Sequence, residues 1–165
     1  MSQKNVQFSL AAHIVAVLGY HHGSSVTTAV LADSVRADAT FVRRSVAKLA
    51  RAGVITTTRG QHGACRLARP PTEVTLLEVY RASEAPPPFA LHEYAEEPLC
   101  SVSANFKPSM CELLLDTTSR FESGLAELTV ADLVGRIRVI ETTYGANSIN
   151  ASRRALGTNN VPQTL

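Results

Sequence analysis

The sequence predicts a mainly α fold centred on a winged helix-turn-helix unit, and three observations in residues 26–67 support this prediction. Two short helical patterns are separated by a turn of a few residues. A glycine directly follows the second pattern. Two strand-like runs then flank a turn that contains two glycines. This is the order of elements with which a small domain places one helix in a DNA groove.

The first predicted helix covers residues 6–19, and Asn5 is a candidate cap for it. Apolar residues occupy nearly every position from Phe8 to Leu18, so this helix must be buried on more than one side. A dimer would supply the second surface. His13 interrupts the apolar run. It is either a core or interface histidine bonded to a neighbour, or a metal ligand or pH-sensing group.

The second and third helices are predicted over residues 29–35 and 38–52. Thr27 caps the second helix, and a few residues suffice to turn the chain between two crossed helices. Gly53 ends the third helix at its C-cap. The third helix is therefore placed as the recognition helix of the unit.

One face of this third helix is apolar and the opposite face is basic. At about 100° per residue, three apolar residues fall within about 60° of one another: Val42, Val46 and Leu49. The opposite arc carries Arg43, Arg44, Lys48 and Arg51. Asp38 or Thr40 can cap the N-terminus, where free N–H groups favour an anion such as a phosphate. Thr40, Arg43 and Arg44 would be nearest the base edges; a solvated basic face on an ordinary helix is the alternative.

A two-stranded β wing is predicted after the third helix. Residues 54–58 are β-branched throughout, residues 59–64 form the turn, and residues 65–69 return as the partner strand. Arg59 and His62 at the tip suit a phosphate backbone or a minor groove, since a narrow groove concentrates negative potential. An ordinary surface hairpin is the alternative.

Three stretches carry a resemblance to a known family: FSLAAHIVAVLGY, VTTAVLADSV and KLARAGVITTTRGQHGACRLARPPTEVTLLEVYRASE. They resemble the Rrf2 family of bacterial winged helix-turn-helix transcription regulators, over residues 8–84 and more weakly to Leu133. Phe41 stands where relatives have an aromatic residue, and Arg59-Gly60 matches their wing-tip pair. Ala64-Cys65 departs from the usual Gly-Tyr or Gly-Phe.

The resemblance implies a homodimeric DNA-binding regulator, often a repressor, with the recognition helix in the major groove and the wing at the minor groove. The expected partner is a double-stranded, pseudo-palindromic operator. The predicted DNA-binding residues are Thr28, Asp38, Thr40, Phe41, Arg43, Arg44, Lys48, Arg59, Gly60 and His62. A protein-interaction module with weak DNA affinity is the alternative.

Charge is distributed unevenly, although the net charge is only +2. Residues 36–81 carry nine Lys and Arg against three Asp and Glu, whereas residues 82–141 carry four against ten. The basic half can attract a polyanion, and the acidic half should face away from it.

No nucleophile with a placed base, phosphate-binding glycine loop or metal-protease spacing is found, so we do not expect an enzyme. Without a visible signal peptide or long apolar run, we expect a cytoplasmic protein with no membrane partner.

The predicted organisation is a DNA-binding domain over residues 1–84, a sensor loop over 85–107, dimerisation helices over 108–144 and a disordered tail over 145–165. Thr75 opens a capping box for a helix that ends near residue 83. Pro108 is placed in the first turn of a long helix over residues 109–128, and a further helix covers 130–142. Apolar residues at three- and four-residue steps on the long helix suit a dimer or an intramolecular core equally well. The family resemblance favours the dimer.

Three cysteines in a cytoplasmic protein are expected to be free, reactive or metal-bound rather than in disulfides. A regulator needs a second site that biases DNA affinity, and Cys100 and Cys111 are the candidates for a redox sensor. Cys111 is placed in the first turn of the long helix, where a helix N-terminus favours the reactive thiolate, whereas Glu96, Glu97 and Glu112 oppose it. Cys65 is interpreted as a small packed residue of the wing.

Iron-sulfur members of the family bind the cluster through three closely spaced cysteines, a pattern that this sequence lacks. We therefore predict no cofactor. Cys100-Ser-Val resembles the Cys-Pro-Val of relatives without a cluster, some of which use that thiol as an oxidant sensor. Three alternatives remain: a thiol switch, an iron-sulfur cluster or metal site, and an inert cysteine pair with another effector. The candidate metal ligands are Cys100, Cys111, His13 of a partner subunit and His92.

Overall fold

The computed structural model of the chain describes residues 6–58, 63–95, 97 and 99–155, with side chains through residue 144. Its elements, in chain order, are α1 (Gln7–Tyr20), β1 (Val26–Thr27), α2 (Thr28–Val35), α3 (Ala39–Arg51), β2 (Ile55–Thr57), β3 (Ala64–Leu67), a 3-10 turn (Pro71–Glu73), α4 (Leu76–Ala82), α5 (Ser101–Ala126) and α6 (Val130–Ala155). The mainly α fold with a winged helix-turn-helix is therefore confirmed.

Local sequence signals set the ends of the early helices as predicted. The Thr27 hydroxyl accepts a hydrogen bond from the backbone N–H of Val30 and caps α2. Gly53, at φ +72°, follows α3 in the left-handed conformation that glycine adopts without strain. Thr75 and Glu78 complete the capping box of α4. Val6, rather than Asn5, stands at the N-cap of α1.

The wing belongs to a three-stranded antiparallel sheet with the order β1-β3-β2. β2 and β3 form the predicted hairpin, with Thr57 opposite Cys65. The third strand was not predicted: Val26 pairs with Cys65 from the other side. Because Val26 and Cys65 are both buried, this added strand closes the sheet over the core.

α1 lies at the centre of the core and packs on α3, α4 and α6. Most of its apolar residues are buried by elements of its own chain, so their burial does not require the dimer surface that we expect from the sequence. Phe8, Ala12 and Val17 are half-buried. A Cβ at Gly19 would lie 2.8 Å from Val130 Cγ1, which shows how closely α1 and α6 approach. His13 is exposed, and its interpretation as a core histidine is wrong because it lies on the uncovered side of α1.

The long helix α5 begins at Ser101, earlier than predicted, and Pro108 lies inside it. Proline lacks the N–H that would bond to the carbonyl of Ala104, but residues 101–107 are otherwise compatible with a helix. The sensor segment before the helix is correspondingly shorter, and Cys111 lies far from the first turn. The Phe121 ring packs edge-on against Tyr80 of α4, with a centroid distance of 5.3 Å.

The helix α6 extends to Ala155, so residues 145–155 of the predicted disordered tail are helical instead. This run contains no proline, and its alanines and arginines favour a helix. Residues 156–165 of that tail lie outside the described residues. None of the helices described combines the length and apolar character that crossing a bilayer requires.

Candidate nucleic-acid interface

α3 is anchored at its N-terminus and along one face. The Asp38 carboxylate accepts hydrogen bonds from the backbone N–H groups of Thr40 at 2.8 Å and Phe41 at 3.2 Å. These two bonds lower the pKa of Asp38 from its ordinary value. Because these two N–H groups already donate to Asp38, they are not free to bind a phosphate, and Asp38 serves as the N-cap of α3. Val42 and Leu49 are fully buried, which turns the opposite face of α3 outward.

That outward face carries four exposed residues that the sequence predicted as DNA contacts: Thr40, Phe41, Arg43 and Arg44. The Phe41 side chain is 37% exposed on this face. Within the described part of the chain, neither arginine forms an ion pair with an acidic residue. Both guanidinium groups are therefore available to an external anion.

Arg43 lies in a groove between α3 and the wing. This groove has a volume of about 240 Å³, and its lining includes Thr28, Thr57, Gly63 and Cys65. The Thr28 hydroxyl donates to the Gly63 carbonyl at 3.4 Å, which ties the start of α2 to the root of the wing. The fold thus brings two predicted DNA contacts, Thr28 and Arg43, together at the base of the wing.

Arg44 lines a second, smaller groove on the other side of α3. This groove has a volume of about 160 Å³ and also contains Phe41, Leu10 and Ser83. The two neighbouring arginines of α3 therefore occupy different grooves. Arg43 faces the side of α3 next to the wing, and Arg44 faces the other side.

Lys48 is placed differently from the prediction. Its Nζ lies 3.1 Å from Glu84 Oε2 and donates to the Ser83 carbonyl at 3.1 Å. Arg51 pairs with the same carboxylate, with Nη1 3.4 Å from Oε1. The C-terminal end of the basic face is thus bound to the end of α4. Glu84 was not singled out from the sequence, because a contact over more than thirty residues leaves no local signal.

The predicted wing-tip contacts Arg59, Gly60 and His62 lie outside the described residues. The root of the wing is described: the backbone N–H of Thr58 donates to the Ala64 carbonyl at 2.9 Å. Cys65 is buried, as expected of a small packed residue. Burial raises the pKa of the Cys65 thiol, which opposes formation of the reactive thiolate.

The two sensor candidates lie on α5 and are both exposed. Cys100 is the N-cap residue of α5, and its backbone N–H donates to the Glu97 carbonyl at 3.0 Å. Cys111 lies eleven residues further on, which is about 16 Å along a helix axis. A disulfide between these two thiols of one chain is excluded, since it needs Cα atoms within about 7 Å.

His92 belongs to an aromatic cluster beside the start of α5. Its ring stacks on Tyr94 at a centroid distance of 4.9 Å and lies 5.7 Å from Phe106. The Tyr94 hydroxyl donates to the Ser103 carbonyl at 2.9 Å. These contacts fold the sensor segment back onto the first turns of α5, so that Cys100 stands in a locally ordered structure.

Comparison with known proteins decides the family. The model of the Rrf2 family, described as an iron-dependent transcriptional regulator, matches residues 5–136. This chain belongs to the Rrf2 family. YwnA of Bacillus subtilis (strain 168), which is named as an HTH-type transcriptional regulator, is 29% identical over 134 residues; these cover 81% of this chain and 98% of YwnA. Rrf2 proteins are transcriptional regulators that bind DNA.

Solved structures of two Rrf2-like regulators have the same fold. CymR (YrzC), the global cysteine regulator of B. subtilis, superposes with a TM-score of 0.61 at 20% identity, over 82% of this chain and 98% of CymR. The oxidized form of Staphylococcus aureus CymR gives a TM-score of 0.61 at 16% identity, over 81% of this chain and 96% of that one. At these identities the likeness establishes the fold.

The described residues of a single chain do not form a site for the iron that the family description names. Among the residues described, no group of three His, Cys, Asp or Glu side chains is placed to hold a metal ion. Cys100 and Cys111 are separated along α5, and the His92 ring is stacked on Tyr94. His13 lies on α1, in a groove with Tyr20 and Ile137. We therefore give iron no role in the function proposed below.

Proposed function

We propose that this Rrf2 protein is a sequence-specific transcriptional repressor that inserts α3 into the major groove of its operator. The observation that carries this proposal is that Arg43 and Arg44 are exposed and form no salt bridge among the described residues, on a helix whose other face is buried in the core. Arginine recognises guanine edges in the major groove by paired hydrogen bonds. Because bacterial regulators act on the chromosome, we place the protein in the cytoplasm.

A homodimer is the second part of the proposal. α5 has 26 residues, about 39 Å of helix, and none of them is buried within the chain. Leu113 and Leu115 on α5 and Val139 on α6 are at least 63% exposed. Exposed apolar area of this kind is typical of an interface. A two-fold dimer would read a pseudo-palindromic operator through two recognition helices.

Cys100 is proposed as the redox-sensing thiol, and Cys111 as a second thiol that takes part in the response without forming a disulfide to Cys100 of the same chain. Cys100 is exposed and stands at the N-cap of a long helix, where the helix dipole favours an anion. Hydrogen peroxide would oxidise its thiolate to a sulfenic acid: one peroxide oxygen is transferred to sulfur as the O–O bond breaks, and the other leaves as hydroxide. The existence of an oxidized CymR form in the same fold supports this kind of regulation.

Binding measurements with arginine variants test the DNA-reading role. A duplex selected from a randomised pool by the wild-type protein serves as the probe. We expect Arg43→Ala or Arg44→Ala to weaken binding by roughly 5- to 150-fold, which corresponds to about 1 to 3 kcal/mol for a base-edge contact. Arg120→Ala is the matched control, since Arg120 lies on α5 and pairs with Asp116.

Two results would contradict the proposal. Full affinity in both α3 variants would remove α3 from the recognition of DNA. A wild-type protein that selects no sequence from the pool and binds every duplex weakly would favour a protein-interaction module instead.

A further inference from the structure

The basic face of α3 extends beyond Arg43 and Arg44. Arg44, Lys48 and Arg51 are spaced by four and then three residues, so they form one stripe along the helix. Arg44 has no ion pair within the described residues, whereas Lys48 and Arg51 share the carboxylate of Glu84. A single acidic residue from outside the helix therefore pairs with both cations at the C-terminal end of the stripe and offsets one of their two charges.

Glu84 is held in this position by its backbone. Its φ of +52° lies in the left-handed region, which is costly for a residue with a Cβ. Lys48 Nζ donates to the carbonyl of the neighbouring Ser83, which is buried. The Gln7 side-chain amide, oriented by its hydrogen bonds, donates to the carbonyls of Ser83 at 3.2 Å and Glu84 at 2.9 Å. These contacts fix the backbone at Glu84 beside the stripe, and the half-exposed carboxylate reaches Lys48 and Arg51 from there.

We propose that Glu84 is a specificity-determining residue whose carboxylate takes the place of a DNA phosphate on Lys48 and Arg51. This inference rests on the proposed DNA-binding function. Cation–phosphate contacts supply almost all non-specific affinity, whereas contacts with base edges distinguish sequences. A DNA phosphate must compete with the Glu84 carboxylate for Lys48 and Arg51, which both pair with it. Glu84 therefore weakens binding to every duplex and leaves Arg43 and Arg44 free to discriminate among them.

The salt dependence of binding to a random-sequence duplex tests this role. We expect Glu84→Gln to bind this duplex more tightly than wild type at low salt. The plot of log K against log salt concentration should become steeper by about 0.9 for each cation released to a phosphate. The selected duplex is the second probe. The Kd for the random-sequence duplex divided by the Kd for the selected duplex should be smaller for Glu84→Gln than for wild type.

Glu122→Gln is the matched control. Glu122 pairs with Arg81 at 2.7 Å, between α4 and α5, so its substitution changes the net charge equally without freeing a cation of α3. For this control, the slope of log K against log salt concentration should equal that of wild type. Adding Lys48→Gln to Glu84→Gln should reverse part of the gain in slope, because one of the released cations is then absent.

The outcomes separate this inference from the proposed function. A wild-type protein with no affinity for any duplex at low salt contradicts both. If wild type binds and Glu84→Gln has an unchanged salt slope, only the role of Glu84 is overturned. Weaker binding by Glu84→Gln would also overturn it, since the ion pairs would then serve to hold α3 in place.

Discussion

At the N-terminus of α3, the Asp38 carboxylate accepts two backbone hydrogen bonds that lower its pKa below the ordinary value of 3.8. A carboxylate with a lowered folded-state pKa contributes stability above its unfolded pKa and loses that contribution as pH falls through the folded value. Asp132 behaves in the same way through its hydrogen bonds with Thr129. Acid should therefore destabilise the fold below about pH 4.

Asp38→Asn tests this pH dependence. Asparagine is also a good N-cap but does not titrate in this range. We expect the thermal midpoint of the variant to fall less steeply than that of wild type between about pH 5 and pH 3. Parallel pH profiles would show that the Asp38 carboxylate has no share in the acid sensitivity.

Cys100 is the residue through which we expect an oxidant to change DNA affinity. Hydrogen peroxide should change the affinity of wild type for its selected duplex. Cys100→Ser should abolish the change and keep the affinity of the reduced protein, because serine is similar in size and is not oxidised under these conditions. Cys111→Ser shows whether the second thiol takes part. A full oxidant response in Cys100→Ser would remove Cys100 from the mechanism.

Among the elements, the contact between α1 and α6 depends on a glycine. A Cβ at Gly19 would meet Val130 Cγ1 at 2.8 Å and Val134 Cγ2 at 3.2 Å. Gly19→Ala should destabilise the fold by about 1 to 3 kcal/mol through overpacking, less the gain in helix propensity of up to about 1 kcal/mol. Gly135→Ala on α6 is the control, since nothing lies within 4 Å of a Cβ there. Urea unfolding should show a lower stability for Gly19→Ala alone; equal stabilities would mean that α6 can move away without cost.

The elements also show which features a sequence can predict. α2, α3 and α4 carry their own signals in Thr27, Asp38 and Thr75, so their starts were predicted from neighbouring residues. β1 has only two residues, and its partner Cys65 is distant in sequence, so the pairing has no local signal. The start of α5 was predicted wrongly because Pro108 is typical of a first helical turn but is tolerated inside this exposed helix.

The same distinction applies to the candidate site. The apolar and basic faces of α3 follow from helical periodicity, and the structure exposes Arg43 and Arg44 on the basic face as predicted. The periodicity could not show that Lys48 and Arg51 are bound to Glu84, because that acid comes from another helix end. The basic face was thus predicted as a whole, and its division into free and paired cations required the structure.

At the scale of the whole molecule, DNA binding should depend on dimerisation. Leu113 is 63% exposed on α5. Leu113→Glu should convert the protein to a monomer in sedimentation equilibrium and weaken its binding to the selected duplex, because one recognition helix is lost from the complex. Ser119→Glu adds the same charge at an exposed polar position of α5 and should remain dimeric. A dimeric Leu113→Glu variant would place the interface elsewhere.

The most direct test of the account is the position of major-groove protection on the selected duplex. Methylation of guanine N7 reports access to the major groove. We predict two protected clusters on one side of the duplex, separated by one or more helical turns of about 10 bp, and loss of both clusters in an Arg43→Ala, Arg44→Ala double variant. Unprotected guanines throughout the site, or protection unchanged in the double variant, would contradict the claim that α3 enters the major groove.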